Sequence, residues 1–222
     1  MVINRLRSPS GLVRRGMLAL LIGAVASIAA CDSPYTYIEN TEANTFFKVP
    51  KDWRLFDEND IFSSNISSLS PQQEAATRRA IWLVAFDANP RPSVRNLLQS
   101  TRYPNGIARV SSLSDEARDV FSFQALRNLI FPIDETLGQD PQAVEILQIQ
   151  DLVMKEGFRG SRIIFNIRRG ENFLTVNQTG LVDLDTRSLY LLVVGCEANC
   201  YVQNQKTIEE IVKSWTVTEQ LR

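Results

Sequence analysis

Two cysteines near the C-terminus, Cys196 and Cys200, are close enough in the sequence to react with each other. They follow an apolar run and enclose Glu197-Ala198-Asn199, which tolerates a turn. In an oxidising compartment such a pair forms a structural disulfide, and closing so small a loop stabilises a fold by about 2 kcal/mol. Free or redox-active thiols are the alternative, although a redox enzyme more usually carries Cys-x-x-Cys at the start of a helix.

Histidine is absent from the 222 residues of the chain. This excludes Ser-His-Asp and Cys-His catalysis and the HExxH zinc sites. The sequence also lacks the glycine-rich patterns of nucleotide-binding loops and the GxSxG pattern of the hydrolase elbow. We therefore predict none of these catalytic, nucleotide-binding or zinc-binding sites in the chain.

Acidic residues offer two alternatives to that prediction. The turn Asp57-Glu58-Asn59-Asp60 could bind calcium, but it lacks the central glycine and distal glutamate of an EF-hand loop, which favours a solvated turn. Asp183 and Asp185 could serve a hydrolase as paired carboxylates. Because both lie in a predicted hairpin turn, where aspartate suits the backbone geometry, a structural role is favoured for them as well.

Arginines supply a candidate binding surface. Four of them lie along one predicted hairpin and could form a contact patch for an acidic partner or lipid headgroups: Arg159, Arg162, Arg168 and Arg169. A solvated sheet face is favoured over such a patch. The tryptophans are interpreted as core aromatics rather than as a ligand cage: Trp53, Trp82 and Trp215.

The first thirty residues differ from the rest in charge and hydropathy. They contain four arginines and no acidic residue, and Met17–Ala30 is an uncharged run of fourteen residues. As a helix this run would span about 21 Å, short of the roughly 30 Å hydrocarbon core of a bilayer. A basic start, a short apolar stretch and small residues at its end predict a secretory signal peptide over residues 1–30.

The end of this segment carries a further signal. Ile28-Ala29-Ala30-Cys31 resembles the bacterial lipobox, in which small residues precede a cysteine whose thiol receives a lipid. The sequence thus predicts a bacterial lipoprotein that is cleaved before Cys31, carries palmitate-type acyl chains there, and lies on the extracytoplasmic face of the cell membrane. A plain signal peptide or an anchor helix is the alternative, and Arg14-Arg15 leaves the twin-arginine route open beside general export.

Cleavage would leave 20 basic and 25 acidic residues. A mildly acidic domain is a poor candidate for binding nucleic acid, which needs clustered positive charge, so we predict no nucleic-acid partner. Attachment to a membrane is then expected through the lipid at Cys31 rather than through a basic surface.

The rest of the chain is predicted to form one domain over residues 46–222, joined to the lipid by a flexible polar tether over residues 31–45. Ala80–Phe86 is predicted as a buried strand, and a helix is expected after it, around Ser93–Ser100. Ser114–Ile130 is predicted as the main helix, because a capping serine begins it and a proline follows it.

From Val144 onward the pattern is typical of strands separated by short turns. The predicted strands are Val144–Lys155, Phe158–Arg168, Phe173–Leu184 and Leu189–Cys196. A last helix over Gln203–Lys213 places apolar residues on one stripe, and a short strand closes the chain. These elements predict an α/β fold with an antiparallel meander sheet.

Three groups of residues carry a resemblance to a known family. They are Phe47-x-Val49-Pro50-x-x-Trp53, Leu189-Tyr190-x-Leu192 and the terminal Ile208-x-x-Ile211-Val212-x-Ser214-Trp215-x-Val217. Together they resemble the PsbP-like domains, which include LpqN-type bacterial lipoproteins and cyanobacterial PsbP homologues. The resemblance implies an αβα sandwich with a central antiparallel sheet.

The same resemblance implies a non-catalytic binding or assembly module. We therefore expect a protein that is not an enzyme, that has no catalytic residue, cofactor or metal site, and that binds an unidentified envelope protein or complex. Two other functions stay open. One is a carrier of a small apolar ligand, which predicts a pocket beneath the helix at Ser114–Ile130. The other is the hydrolase with paired carboxylates, which predicts acidic groups converging in one cleft.

Overall fold

A central antiparallel sheet organises the fold, and the computed structural model describes residues 33–64, 70–153 and 157–218. The strands in these residues are β1 (Tyr35–Asn40), β2 (Thr45–Pro50), β3 (Arg54–Phe56), β4 (Ile81–Asp87), β5 (Asn105–Ser112), β6 (Val144–Val153), β7 (Arg159–Arg169), β8 (Asn172–Val182), β9 (Ser188–Glu197) and β10 (Thr216–Val217). The helices are α1 (Glu58–Ser63), α2 (Pro71–Ala80), α3 (Asp115–Asp119), α4 (Phe123–Arg127), α5 (Ile133–Gln139) and α6 (Ala198–Ser214).

Strands β6 to β9 form the predicted meander, in which each strand pairs antiparallel with the next. The sheet continues through β5, so its order is β3-β4-β5-β9-β8-β7-β6. The turn between β7 and β8 contains Gly170 at φ 63°, a left-handed conformation that glycine adopts without strain. The four predicted strands are confirmed to within two residues at each end.

Both faces of this sheet are covered. One core lies under α6 and includes Leu192, Val194, Ile208 and Ile211. The other lies under the segment around α5 and includes Leu191, Val193, Phe131 and Ile133. Because successive side chains of a strand point to opposite faces, the apolar run of β9 is buried on both sides. The predicted αβα sandwich with a central antiparallel sheet is therefore the observed fold.

A second, three-stranded sheet corrects the predicted tether. Strand β1 pairs antiparallel with β2 over six residues, from Tyr35 opposite Pro50 to Asn40 opposite Thr45, and β10 pairs with the other edge of β2. Ile38 is buried in the core under α6. The prediction of a flexible segment over residues 31–45 is thus wrong from Tyr35 onward, because one buried isoleucine and backbone pairing suffice to fold a largely polar stretch.

The predicted main helix at Ser114–Ile130 is also wrong. The segment contains two short helices, α3 and α4, separated at Val120–Ser122. Ser122 caps the second helix, since its Oγ accepts a hydrogen bond from the backbone N–H of Ala125 at 3.0 Å. Val120, which lies between the two helices, is 74% exposed.

Two other helix predictions need correction. At Ser93–Ser100 the chain forms only a 3₁₀ turn over Val94–Asn96. In contrast, the last helix begins at Ala198 rather than at Gln203, and its first turns bury Cys200 and Tyr201 against the sheet. Tertiary packing therefore extends one helix and shortens another relative to their local patterns.

Candidate functional site

The sulfur atoms of Cys196 and Cys200 are bonded to each other, which confirms the predicted disulfide. Cys196 lies near the end of β9 and Cys200 in the first turn of α6, and both side chains are buried in the core under that helix. The amide of Asn204 donates a hydrogen bond to the backbone carbonyl of Cys200 at 2.9 Å. The bridge thus fixes the start of α6 on the central strand.

The four arginines predicted as a partner patch do not form one surface. They lie on β7, where side chains alternate between the two faces of the sheet. Arg162 and Arg168 lie on the face that α6 covers, whereas Arg159 and Arg169 lie on the opposite face, ten residues apart. At about 3.3 Å per residue, this last separation is roughly 33 Å.

Each of these arginines is also held by a neighbour within the domain. Arg159 donates a hydrogen bond to the hydroxyl of Thr186 at 2.7 Å, and the guanidinium of Arg169 stacks on a core aromatic ring. The guanidinium of Arg168 lies 3.3 Å from the carboxylate of Asp140. The arginines that were considered as a contact patch for a partner therefore stabilise the fold instead.

Arg162 belongs to a polar network beneath α6. Its guanidinium forms an ion pair with Glu209 and donates from Nε to Asn177 Oδ1 at 3.0 Å. The amide of Asn177 in turn donates to the phenol oxygen of Tyr201 at 3.0 Å. Burial raises the pKa of Tyr201 above its usual value. The network satisfies polar groups that the helix buries against the sheet.

The predicted carboxylate pair organises a turn. Asp183 Oδ1 accepts hydrogen bonds from the backbone N–H groups of Arg187 and Ser188 at 2.6 and 3.1 Å. The carboxylate of Asp185 lies 3.9 Å from the guanidinium of Arg187. The structural role favoured for Asp183 in the hairpin turn is thus the role it has here.

The acidic turn considered for calcium begins helix α1. Asp57 Oδ1 accepts a hydrogen bond from the backbone N–H of Asp60 at 2.9 Å, and the carboxylate of Asp60 accepts one from the N–H of Asp57 at 3.4 Å. This is a capping box, in which two side chains satisfy backbone donors at a helix start. Among the described residues, no group of three or more acidic or cysteine side chains is arranged to hold a metal ion.

The tryptophans pack against the core under α6, as interpreted from the sequence: Trp53, Trp82 and Trp215. The indole N–H of Trp215 also donates to the hydroxyl of Thr45 at 2.9 Å, which ties the end of α6 to the small sheet. Their rings therefore stabilise the domain.

A cleft of about 890 Å³ opens beside α2. Its lining includes aromatic rings from three strands or their flanks, namely Trp82, Phe158 and Tyr190, and charged groups at its rim. Glu58 accepts a hydrogen bond from a backbone N–H of β4 at 3.1 Å, and Arg78 pairs with a glutamate of its own helix at 2.8 Å. The cleft thus combines an aromatic wall with charges that already have partners.

Strand β6 is an edge of the large sheet, because β7 alone pairs with it in the described structure. A bulge between Ile146 and Gln148 interrupts the pairing, and Gln148–Val153 then continues in regular register. We call Gln148–Val153 the edge segment. Its side chains Ile149 and Val153 are 47% and 84% exposed. The sequence did not predict this exposure, since its alternating pattern also suits an internal strand.

The segment that carries the signal and lipidation predictions, residues 1–32, lies outside the described residues. Cys31 as a lipidation site therefore stays a prediction. No helix in the described part of the chain is long and apolar enough to cross a membrane.

The chain has an α/β sandwich fold that is similar to the fold of a PsbP protein. The solution structure of the cyanobacterial PsbP protein CyanoP from Synechocystis sp. PCC 6803 is similar over 88% of this chain and 99% of that one, at 12% identity and a TM-score of 0.51. LpqN, described as involved in cell envelope biogenesis of Mycobacterium tuberculosis, is similar over 84% of this chain and 87% of that one, at 15% identity and a TM-score of 0.46. No family model and no curated protein matches the sequence. The likeness to CyanoP confirms the predicted fold.

Proposed function

We propose that this protein is an exported, lipid-anchored and non-catalytic binding module that holds an extended segment of an envelope protein against β6. The observation that carries the proposal is the exposed edge segment, Gln148–Val153. An edge strand presents a row of backbone N–H and C=O groups that can pair with another extended chain.

The edge segment has few of the features by which proteins usually protect such an edge, and the bulge in β6 lies only at its start. Its sequence contains no lysine, arginine or proline. The one charged side chain, Asp151, lies 3.7 Å from the guanidinium of Arg127 on α4, so its charge is partly compensated. The apolar side chains of Ile149 and Val153 point to the same face and would pack against side chains of an added strand.

The chemistry of this surface selects the kind of partner. Unpaired backbone groups in a row match an extended polypeptide, and the flanking apolar side chains favour alternating apolar residues in it. A second copy of this chain is the competing occupant, and it would pair two β6 strands across a dimer. We favour a different protein, because antiparallel pairing of two edge segments would bring the Asp151 side chains of both copies close together, and like charges across paired strands are destabilising.

The location of the protein rests on residues 1–31. A basic start, a short apolar run and the lipobox support export and lipidation at Cys31. The buried disulfide supports the same location, since such bonds persist in oxidising compartments. We therefore infer that the domain works at the extracytoplasmic face of the membrane.

Lipidation is tested by metabolic labelling with a fatty acid in cells that express the full chain. We expect label on the wild type and none on Cys31→Ala, while Cys200→Ala retains its label. Equal labelling of Cys31→Ala and the wild type would refute the site.

The edge is tested separately by photocrosslinking in intact cells, with a photoreactive amino acid at Ile149 or, as a matched exposed control, at Leu184. We expect one adduct of discrete mass from position 149, identified as an envelope protein, and none from position 184. Asp151→Lys in the same chain should weaken or shift the adduct. An adduct of twice the chain mass would show a dimer instead, and identical adducts from both positions would contradict the proposal.

A further inference from the structure

Arg109 lies on β5 with its side chain among apolar neighbours. Its cross-strand partners are Leu83 on β4 and Leu191 on β9, so the guanidinium stands on the face of the sheet that α4 and α5 cover. Its Nε atom is shielded from solvent and has no hydrogen-bond partner. Within residues 33–64, 70–153 and 157–218, Arg109 takes part in no ion pair or hydrogen bond.

This isolation distinguishes Arg109 from the arginines of the same sheet. Arg162, which is also mostly buried, has a carboxylate and an amide as partners. Burial lowers the pKa of Arg109 below its usual range, but an arginine stays protonated at neutral pH. Arg109 is only partly buried, but its shielded Nε–H group has no acceptor, and a shielded polar group without a partner is costly.

A groove of about 530 Å³ runs over this guanidinium, a volume within the range of small-molecule sites. Most of its walls are apolar. They come from α2, the start of β4, the segments that follow β5 and α4, and β9, with Ala76, Ala80, Ile81, Leu113, Leu129 and Leu189. The hydroxyls of Ser111 and Ser112 lie at the same groove. It therefore combines one positive charge and a few hydroxyls with a mainly hydrocarbon surface.

We propose that this groove binds a single-chain anionic amphiphile, with its carboxylate or phosphate head on Arg109 and its hydrocarbon body along the apolar wall. The planar guanidinium donates two parallel hydrogen bonds to such a head. The leucines and alanines bury the chain. The site is independent of Cys31 and of β6, so it adds a ligand to the proposed function rather than restating it.

The anionic head supplies the hydrogen-bond acceptor that Arg109 lacks within the domain. A charge-assisted hydrogen bond contributes about 1.5–3 kcal/mol, which corresponds to a roughly 10- to 150-fold gain in affinity over a neutral head of the same chain length. A neutral amphiphile would still bury its chain but would leave the guanidinium unpaired. The charge of the head group should therefore determine the affinity of the amphiphile for the groove.

The test uses the full chain in phosphatidylcholine nanodiscs and a decanoate probe that carries a photoreactive diazirine on its chain. We expect saturable labelling of peptides that contain Leu113, Leu129 or Leu189, as mapped by mass spectrometry. Unlabelled decanoate or decyl phosphate should compete at concentrations at least ten-fold lower than decanol. The ranking of decanoate against decyl phosphate then identifies a carboxylate or a phosphate as the preferred head.

Variants separate the charge from the groove. Arg109→Met should reduce labelling by the decanoate probe at least ten-fold and leave competition by decanol unchanged. The exposed control Arg95→Met should be labelled as strongly as the wild type. Ala76→Phe, at an exposed helix position, should weaken every probe by narrowing the groove, which tests the site even if Arg109→Met fails to fold. Labelling confined to other peptides, decanol competing as well as decanoate, or full labelling of Arg109→Met would overturn the proposal.

Discussion

Arg162 on β7 and Glu209 on α6 form an ion pair in which 12% and 22% of the respective side chains are exposed. The pair joins a strand of the large sheet to the helix that covers it. Removing one partner would leave a mostly buried charge uncompensated, so we expect Glu209→Ala to lower the free energy of unfolding by about 2 kcal/mol. Urea denaturation followed by circular dichroism measures the change.

A double-mutant cycle separates this coupling from the loss of each side chain. Arg162→Met combined with Glu209→Leu should cost less than the sum of the two single changes, because neither charge is then left alone. The exposed Gln205→Ala on the same helix serves as the control and should stay within about 0.5 kcal/mol of the wild type. Additive single changes would show that the ion pair contributes nothing.

The disulfide gives a second prediction. Replacing Cys196 and Cys200 together by alanine should lower the free energy of unfolding by about 2 kcal/mol, because the unfolded chain loses a constraint. Reductant should destabilise the wild type by a similar amount and leave the variant unchanged. Mass spectrometry without reductant should find the two cysteine peptides linked, and free thiols in protein recovered from its native compartment would refute the bridge.

Two glycines should respond in opposite directions to alanine. A Cβ atom at Gly160 on β7 would stand 1.9 Å from the backbone oxygen of Gly180 on β8, so Gly160→Ala should cost at least about 2 kcal/mol. Gly138 in α5 has nothing within 4 Å of the added atom, and Gly138→Ala should stabilise the helix by about 0.5–1 kcal/mol. Thermal denaturation of both variants checks the contrast, and a shift in the same direction for both would contradict it.

Asp134 should contribute stability that disappears in acid. Hydrogen bonds from the amides of Gln124 and Asn128, at 2.7 and 2.9 Å, hold the pKa of this carboxyl below its usual value. A group whose pKa is lower in the folded state stabilises the fold above its unfolded pKa of about 3.9, and the gain is lost as pH falls through the folded value.

The measurement for Asp134 is the urea midpoint between pH 5 and pH 2.5. Asp134→Asn should be less stable than the wild type at pH 5, and the difference should shrink toward pH 2.5. Asp119→Asn on the neighbouring α3 is an exposed control. A constant difference across this range would show that ionisation of Asp134 does not matter for folding.

The strands could be predicted because their signals are local. In β7 to β9 the apolar runs end at turn residues such as Gly170 and Asp183, so strand bounds follow from a few neighbouring residues. The same holds for the cysteine pair, whose partners lie four residues apart. Local spacing therefore yielded both the sheet and its bridge.

The failures of prediction have a common cause, which is contact between residues far apart in the chain. Arg162 was considered for partner binding because its acceptor within the domain, Glu209, lies 47 residues later in the sequence. Strand β1 was missed because β2 supplies its hydrogen bonds and the core supplies a place for Ile38. A role for Arg109 could not be predicted, since nothing local in the sequence indicates that its Nε atom is shielded beside a groove.

The first strand of the described structure begins at Tyr35, and this limits where a lipidated form could act. Four peptide units separate Cys31 from that residue, and a fully extended chain covers at most about 3.6 Å per residue. The linker between the lipidated residue and the strand is therefore no longer than roughly 14 Å. This linker is shorter than the length of the domain. The anchored domain would therefore stay next to the bilayer, and its partner would have to reach within about one domain length of the headgroups.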